Sequence, residues 1–147
     1  MSLEKHLDLQ RQVIEQLLQL LDQERQTLAQ AKVDAERLRE LVAGKQAALL
    51  RLEQLEAVRV GAQLKLGFGP GREGALRAAR EADCLAAWRR LRQLALRARA
   101  LNHNNGEALD ARLKGNQQIL DFLDRITADR LYGPNGRPLP GILWATE

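Results

Sequence analysis

Apolar residues recur at alternating spacings of three and four along the start of the chain. Leu3, Leu7, Ile14, Leu17, Leu21, Leu28 and Ala31 form one stripe, with Gln10 and Glu24 as polar gaps in it. Val13, Leu18 and Leu20 widen the stripe beyond a narrow two-strand seam. That pattern predicts an amphipathic helix packed against two neighbours. The stripe continues through Ala35, Leu38, Val42, Leu49 and Leu52, and no Gly or Pro marks an end to the first helix. A single helix of about 60 residues would reach roughly 90 Å at ~1.5 Å per residue. A compact domain of this size cannot accommodate it, so a tight turn is expected near residues 31–34, with Asp34 as the next N-cap.

The second helix is predicted from about Asp34 to Leu66, with Gly44 inside it costing ~1 kcal/mol relative to Ala. Residues 67–74, GFGPGREG, hold four Gly and one Pro and read as an interhelical linker. A third helix is predicted from near Ala75, carrying Leu85, Trp88, Leu91, Leu94 or Ala95, and Ala98. Two readings then compete at the LNHNNG block, residues 101–106. If the helix passes through, Asn102, Asn105, Leu109, Asn116, Leu120 and Leu123 share one stripe, and the Asn residues form a buried polar layer that fixes register. If the chain turns at Asn104-Asn105-Gly106, two helices of about 27 and 25 residues result, matching the first two. The helical pattern stops at Tyr132, since GPNGRPLPG contains three Gly and three Pro in nine residues. The fold expected is all-α, an antiparallel bundle of long helices over residues 1–132. It has four helices, or three with one long bent helix, followed by an irregular Pro/Gly-rich tail over residues 133–147.

Composition strengthens that expectation. The chain of 147 residues is 45% hydrophobic but only 3% aromatic, so its apolar content is mostly Leu and Ala. One cysteine, Cys84, excludes an internal disulfide and suits a reducing compartment. The start, MSLEKHLDL, lacks the basic and apolar regions of a signal peptide. No apolar run approaches the ~18 residues of a membrane span, so the expected location is cytoplasmic, without membrane insertion. The net charge of +4 is unevenly spread. Residues 72–99 carry eight Arg against three acids, whereas residues 1–60 nearly cancel. That excess raises an anionic or nucleic-acid partner. The competing reading, favoured here, is a solvated face whose Arg stems cover apolar surface. Aromatic residues for base stacking are not interleaved with the arginines.

Candidate chemistry is sparse. Gly69-Pro70-Gly71-Arg72-Glu73-Gly74 matches G-x-G-x-x-G. A dinucleotide site, however, needs that loop between a strand and a helix, and no βαβ unit is predicted. His6 and His103 lie almost a hundred residues apart, and Cys84 has no His or Cys at ligand spacing, so no metal site is expected. Acidic residues are dispersed among Arg and Lys, as on a solvated face, and no nucleophile–base pair stands out. Neither enzyme chemistry nor a cofactor is expected.

Three stretches carry a resemblance. The first is Leu101 to Gly136, which opens with LNHNNG, has NQQIL at its centre and closes with LYGPNG. The second is KQAALLRLEQLEAVR, Lys45 to Arg59. The third is Trp88, which stands 14 residues before Asn102. Together they resemble the FlgN family of flagellar export chaperones over most of residues 1–136. The resemblance implies a helical chaperone that binds hook-associated proteins, which form the hook–filament junction, through their C-terminal helical regions. It implies that the chaperone prevents their premature assembly and delivers them to the flagellar export gate and the export ATPase complex. Cargo contact is expected on the late helix, Asn105 to Leu131, through Leu120 and Leu123, and on the tail through Ile142, Leu143 and Trp144. That apolar triplet either docks back onto the bundle or folds against a partner. Leu131, Tyr132 and Gly133 are a candidate docking point for the export gate; the alternative for Tyr132 is an aromatic cap on the bundle. Trp88, Asn102, Asn105 and Gly106 are expected to be structural, Trp88 as a core anchor. Two other functions remain open: a basic nucleic-acid-binding or regulatory protein using residues 72–99, and a coiled-coil adaptor.

Overall fold

A computed structural model describes residues 1–115, with backbone alone for the last three. The described chain forms four helices: α1 (Leu3–Ala29), α2 (Ala35–Lys65), α3 (Gly71–Glu81) and α4 (Leu85–Gly115). The all-α bundle expected from periodicity is therefore present. α1 is its centre and packs along both α2 and α4. His6 meets Leu55 and Glu24 meets Lys45, so α1 and α2 are antiparallel. Asn105 reaches Leu21, and Arg112 reaches Gln30 and Ala31, so α4 runs parallel to α1. α2 is thus antiparallel to both of its long neighbours.

Each boundary has a local cause. Ser2 caps α1, its hydroxyl accepting from the Lys5 N–H at 3.2 Å. The expected turn falls at residues 30–34, and Asp34 caps α2 by accepting from the Arg37 N–H at 3.0 Å. Val33 just before that cap and Leu38 in the next turn are both buried in the core, the arrangement of a hydrophobic staple. α2 ends in a Schellman motif. Gly67, at φ 83°, donates to Leu64 O, and Phe68 donates to Gln63 O.

Two expectations are corrected. The linker is shorter than residues 67–74, because Gly71 to Gly74 already form the first turn of α3. The third helix is also not continuous from Ala75 to Ala98. It stops at Ala82, and α4 begins at Leu85. A second Schellman motif makes the break, with Asp83 at φ 55°, the Asp83 N–H donating to Arg80 O and the Cys84 N–H to Ala79 O. Asp is one of the few non-Gly residues that adopts this conformation readily. At the LNHNNG block the continuous reading holds: α4 runs unbroken for 31 residues through Asn102–Gly106. The alternative of a turn there, with two helices of about 27 and 25 residues, is excluded. The boundary at 132/133 and the tail lie outside the described residues.

The core joins Leu7, Ile14, Leu17, Leu21 and Leu28 of α1 to Leu38, Val42, Leu49 and Leu52 of α2. α4 closes it with Trp88, Leu91, Leu94, Ala95, Ala98 and Leu109.

Candidate binding surfaces

Of the expected partner-binding residues, Leu120, Leu123, Leu131, Tyr132, Gly133, Ile142, Leu143 and Trp144 all lie outside the described residues. The four expected structural residues are described, and each is buried. Trp88 is 3% exposed in the core. Asn102, Asn105 and Gly106 point into the bundle from consecutive turns of α4.

The two Asn belong to a charged layer crossing all three long helices. Glu24 of α1 and Lys45 of α2 are 0% and 1% exposed and form an ion pair at 3.0 Å. Lys45 Nζ donates to both Glu24 oxygens and to Asn102 Oδ1 at 2.9 Å. Asn105 Nδ2 donates to Glu24 Oε1 at 2.8 Å and to Leu21 O at 2.9 Å. The bonding pattern orients both amides: Asn102 presents its oxygen to the ammonium, and Asn105 its nitrogen to the carboxylate. Burial pushes the Lys45 ammonium below its ordinary value of 10.5, and the Glu24 charge opposes that shift. Sequence reasoning placed Glu24 as a polar gap and Asn102 and Asn105 as a possible seam. It missed Lys45, whose partner is 21 positions away, beyond the reach of helical spacing.

A second polar network ties the other end together. Gln10 Nε2 of α1 donates to Glu56 Oε2 at 3.0 Å, and Arg59 pairs with Glu56 and donates to Gln63 Oε1 at 2.7 Å. Gln63 Nε2 then holds the loop before α3 by donating to Gly69 O at 2.7 Å and Gly71 O at 3.2 Å. The Arg59 guanidinium also lies 4.8 Å from the centre of the Trp88 ring, a cation–π contact between α2 and α4. His6 Nε2 faces Leu55 O at 2.8 Å; a carbonyl only accepts, so that nitrogen carries the proton.

Above this network lies an apolar groove of about 460 Å³. Leu3 of α1, Val58 of α2, Leu66 and Phe68 after it, and Ala75 and Ala79 of α3 are among its lining residues. The glycine motif lies between two of the lining residues, Phe68 and Ala75. A Cβ on Gly74 would collide with Gly69 O and with Gln63 Nε2. Gly74 is thus required by packing against the loop, while Gly69 and Gly71 serve positive φ angles of 82° and 74°, and the helix α2 precedes the loop.

Five arginines of α4 contrast with most of those of α1 and α2, Arg51 excepted. Arg11, Arg25, Arg37, Arg39 and Arg59 each have an acidic partner three or four residues away. Arg89, Arg90, Arg92, Arg97 and Arg99 form no ion pair among the described residues. Among the described residues no group of three or more His, Cys, Asp or Glu is placed to hold a metal ion. None of the described helices is long and apolar enough to cross a membrane.

No curated protein and no solved structure matches the chain. The family model described as FlgN protein matches residues 1–140. The match spans the four helices, both polar networks and the Tyr132-Gly133 segment that follows. The chain belongs to the FlgN family of flagellar export chaperones.

Proposed function

We propose that this chain binds hook-associated proteins in the cytoplasm, shields their C-terminal helical regions and delivers them to the flagellar export gate and the export ATPase complex. The observation that carries this reading is the family match over residues 1–140, which includes the Leu101–Gly136 block. The architecture supports it: long helices in a bundle are a natural partner for helical segments that otherwise pair with one another. An exposed apolar helical stripe on the cargo invites premature association. A chaperone that covers the stripe suppresses that association by mass action and must release it at the gate. The proposed contacts are Leu120 and Leu123 with Ile142, Leu143 and Trp144 for cargo, and Leu131, Tyr132 and Gly133 for the gate.

The test is co-purification of each hook-associated protein, and separately of the cytoplasmic part of the export gate, with the full chain and with a chain lacking residues 133–147. Capture of the hook-associated proteins by the full chain is expected. The shortened chain should lose affinity for cargo or for the gate at unchanged helicity. A full chain that captures none of them sinks the proposal. A shortened chain that captures both normally removes the tail from it.

A further inference from the structure

α2 is apolar on two faces, although one face already fills the core. Its buried side carries Leu38, Leu41, Leu49, Leu52 and Leu55. Its opposite side carries exposed apolar residues: Leu50 is 57% exposed, Val58 62% and Leu64 51%. A helix that is apolar on two sides is normally covered on both. The exposed side has a definite order. Ala47, Leu50, Gln54, Ala57, Gly61 and Leu64 are all exposed and recur at alternating spacings of three and four, the seam of a coiled coil.

The geometry points to a second copy of this chain as the occupant, with two α2 helices packed antiparallel across a two-fold axis. In an antiparallel pair, positions of one type in the seam face positions of the other type. In one register every layer then sets a larger side chain against a smaller one. Leu50 faces Gly61 of the second copy, Leu64 faces Ala47, and Gln54 faces Ala57. The two-fold repeats each layer, so all six seam positions are used. The flanking positions agree: Arg51 meets Val58, and Glu53 meets Val60, so no like charges oppose. Gly61 has open space around it within its own chain, so nothing internal requires a glycine there. In the pair, its missing side chain makes room for Leu50.

The contact runs along about 26 Å of helix at ~1.5 Å per residue. So short a helix pair is expected to associate weakly, with a dissociation constant of about 1–100 μM. This inference stands apart from the cargo reading, because it uses no residue proposed to touch cargo.

Sedimentation equilibrium of the full chain between about 1 and 300 μM tests it, bracketing that range. The unaltered chain is expected to pass from monomer to dimer. Leu50→Glu places a carboxylate in two layers and should raise the dissociation constant by about tenfold or more. Adding Gly61→Lys sets the new ammonium opposite the new carboxylate of the second copy and should restore part of the association, in a salt-sensitive way. Residues 50 and 61 lie three turns apart on one helix, so the recovery cannot arise within a chain. Helicity by circular dichroism should be the same for all three proteins, since both positions are exposed. A chain that stays monomeric throughout overturns the inference, including where its own C-terminal segment or cargo alone covers the face. So does a dimer indifferent to Leu50→Glu. Loss without recovery in the double variant overturns the antiparallel register.

Discussion

At the residue scale the decisive group is Lys45. An isolated charge in the core would cost several kcal/mol, and the position is tolerated because Glu24 and Asn102 satisfy the ammonium. Replacing Lys45 with Met leaves the Glu24 carboxylate buried with only Asn105 as an identified donor. That variant should lose about 3–5 kcal/mol of stability in urea unfolding. The double variant Glu24→Gln, Lys45→Met removes both charges and should recover most of the loss. A single variant within about 1 kcal/mol of the parent would show that the pair is hydrated in solution, as exposed pairs are. The pH dependence follows from the sign of the Lys45 shift. Burial lowers its value in the folded chain below 10.5, so across that window the unfolded chain binds more protons. The pair therefore contributes stability that rises as pH climbs toward 10.5, and the rise should vanish in Lys45→Met. Unfolding midpoints of the two proteins, measured between neutral pH and pH 10, check this; a falling contribution would contradict the desolvation argument.

At the scale of elements, the same residue type has opposite meanings at different places. Gly44 and Gly74 both lie within helices, although the sequence reads Gly44 as a helical weak point and Gly74 as part of the linker. Gly44 faces Leu20, whose Cδ2 would lie 3.2 Å from a new Cβ. That neighbour is the end of a flexible side chain, so Gly44→Ala trades a small adjustment against ~1 kcal/mol of helix propensity. Its unfolding midpoint should stay level or rise slightly. Gly74 faces the rigid backbone of Gly69 and the Gln63 amide. Gly74→Ala should cost about 1–3 kcal/mol, as overpacking does, and should loosen the loop that Gln63 holds. Equal midpoints for the two variants would contradict this contrast. The long helices were legible from sequence because the apolar stripes of α1 and α2 keep their spacing, and Asp34 is an ordinary cap. The break at Ala82–Cys84 was not legible, since Asp83 occupies a conformation usually marked by Gly. The LNHNNG block left its helix open because Asn-Gly serves equally as a turn and as a buried polar layer. Only the partner atoms on α1 and α2 decide between them, and those lie 57 to 84 positions away.

For the whole molecule, charge is the property that sequence showed most plainly and explained least. The basic excess of residues 72–99 is plain in the sequence, but which arginines are paired and which are solvated is not. Arg59 is buried, paired with Glu56 and stacked on Trp88, and Arg77 donates to Phe68 O. Arg89, Arg90 and Arg97 are exposed, while Arg92 and Arg99 are half-buried. Five cations along three turns of one helix engage about three to five phosphates of a duplex, which gives a salt exponent of about −3 to −4.5. Non-specific duplex binding of that kind weakens by about two orders of magnitude or more between 50 and 200 mM salt. The described arginine face has no interleaved aromatic surface on which bases could stack. If the face is merely solvated, fluorescence anisotropy of a labelled duplex should show weak binding at the lower salt and none at the higher. Substituting Arg89, Arg90 and Arg97 by Gln should remove the weak binding without altering the fold, since all three are exposed. Tight duplex binding that persists at 200 mM salt and disappears in the triple variant would instead make nucleic acid a partner of α4, alongside whatever protein the bundle carries.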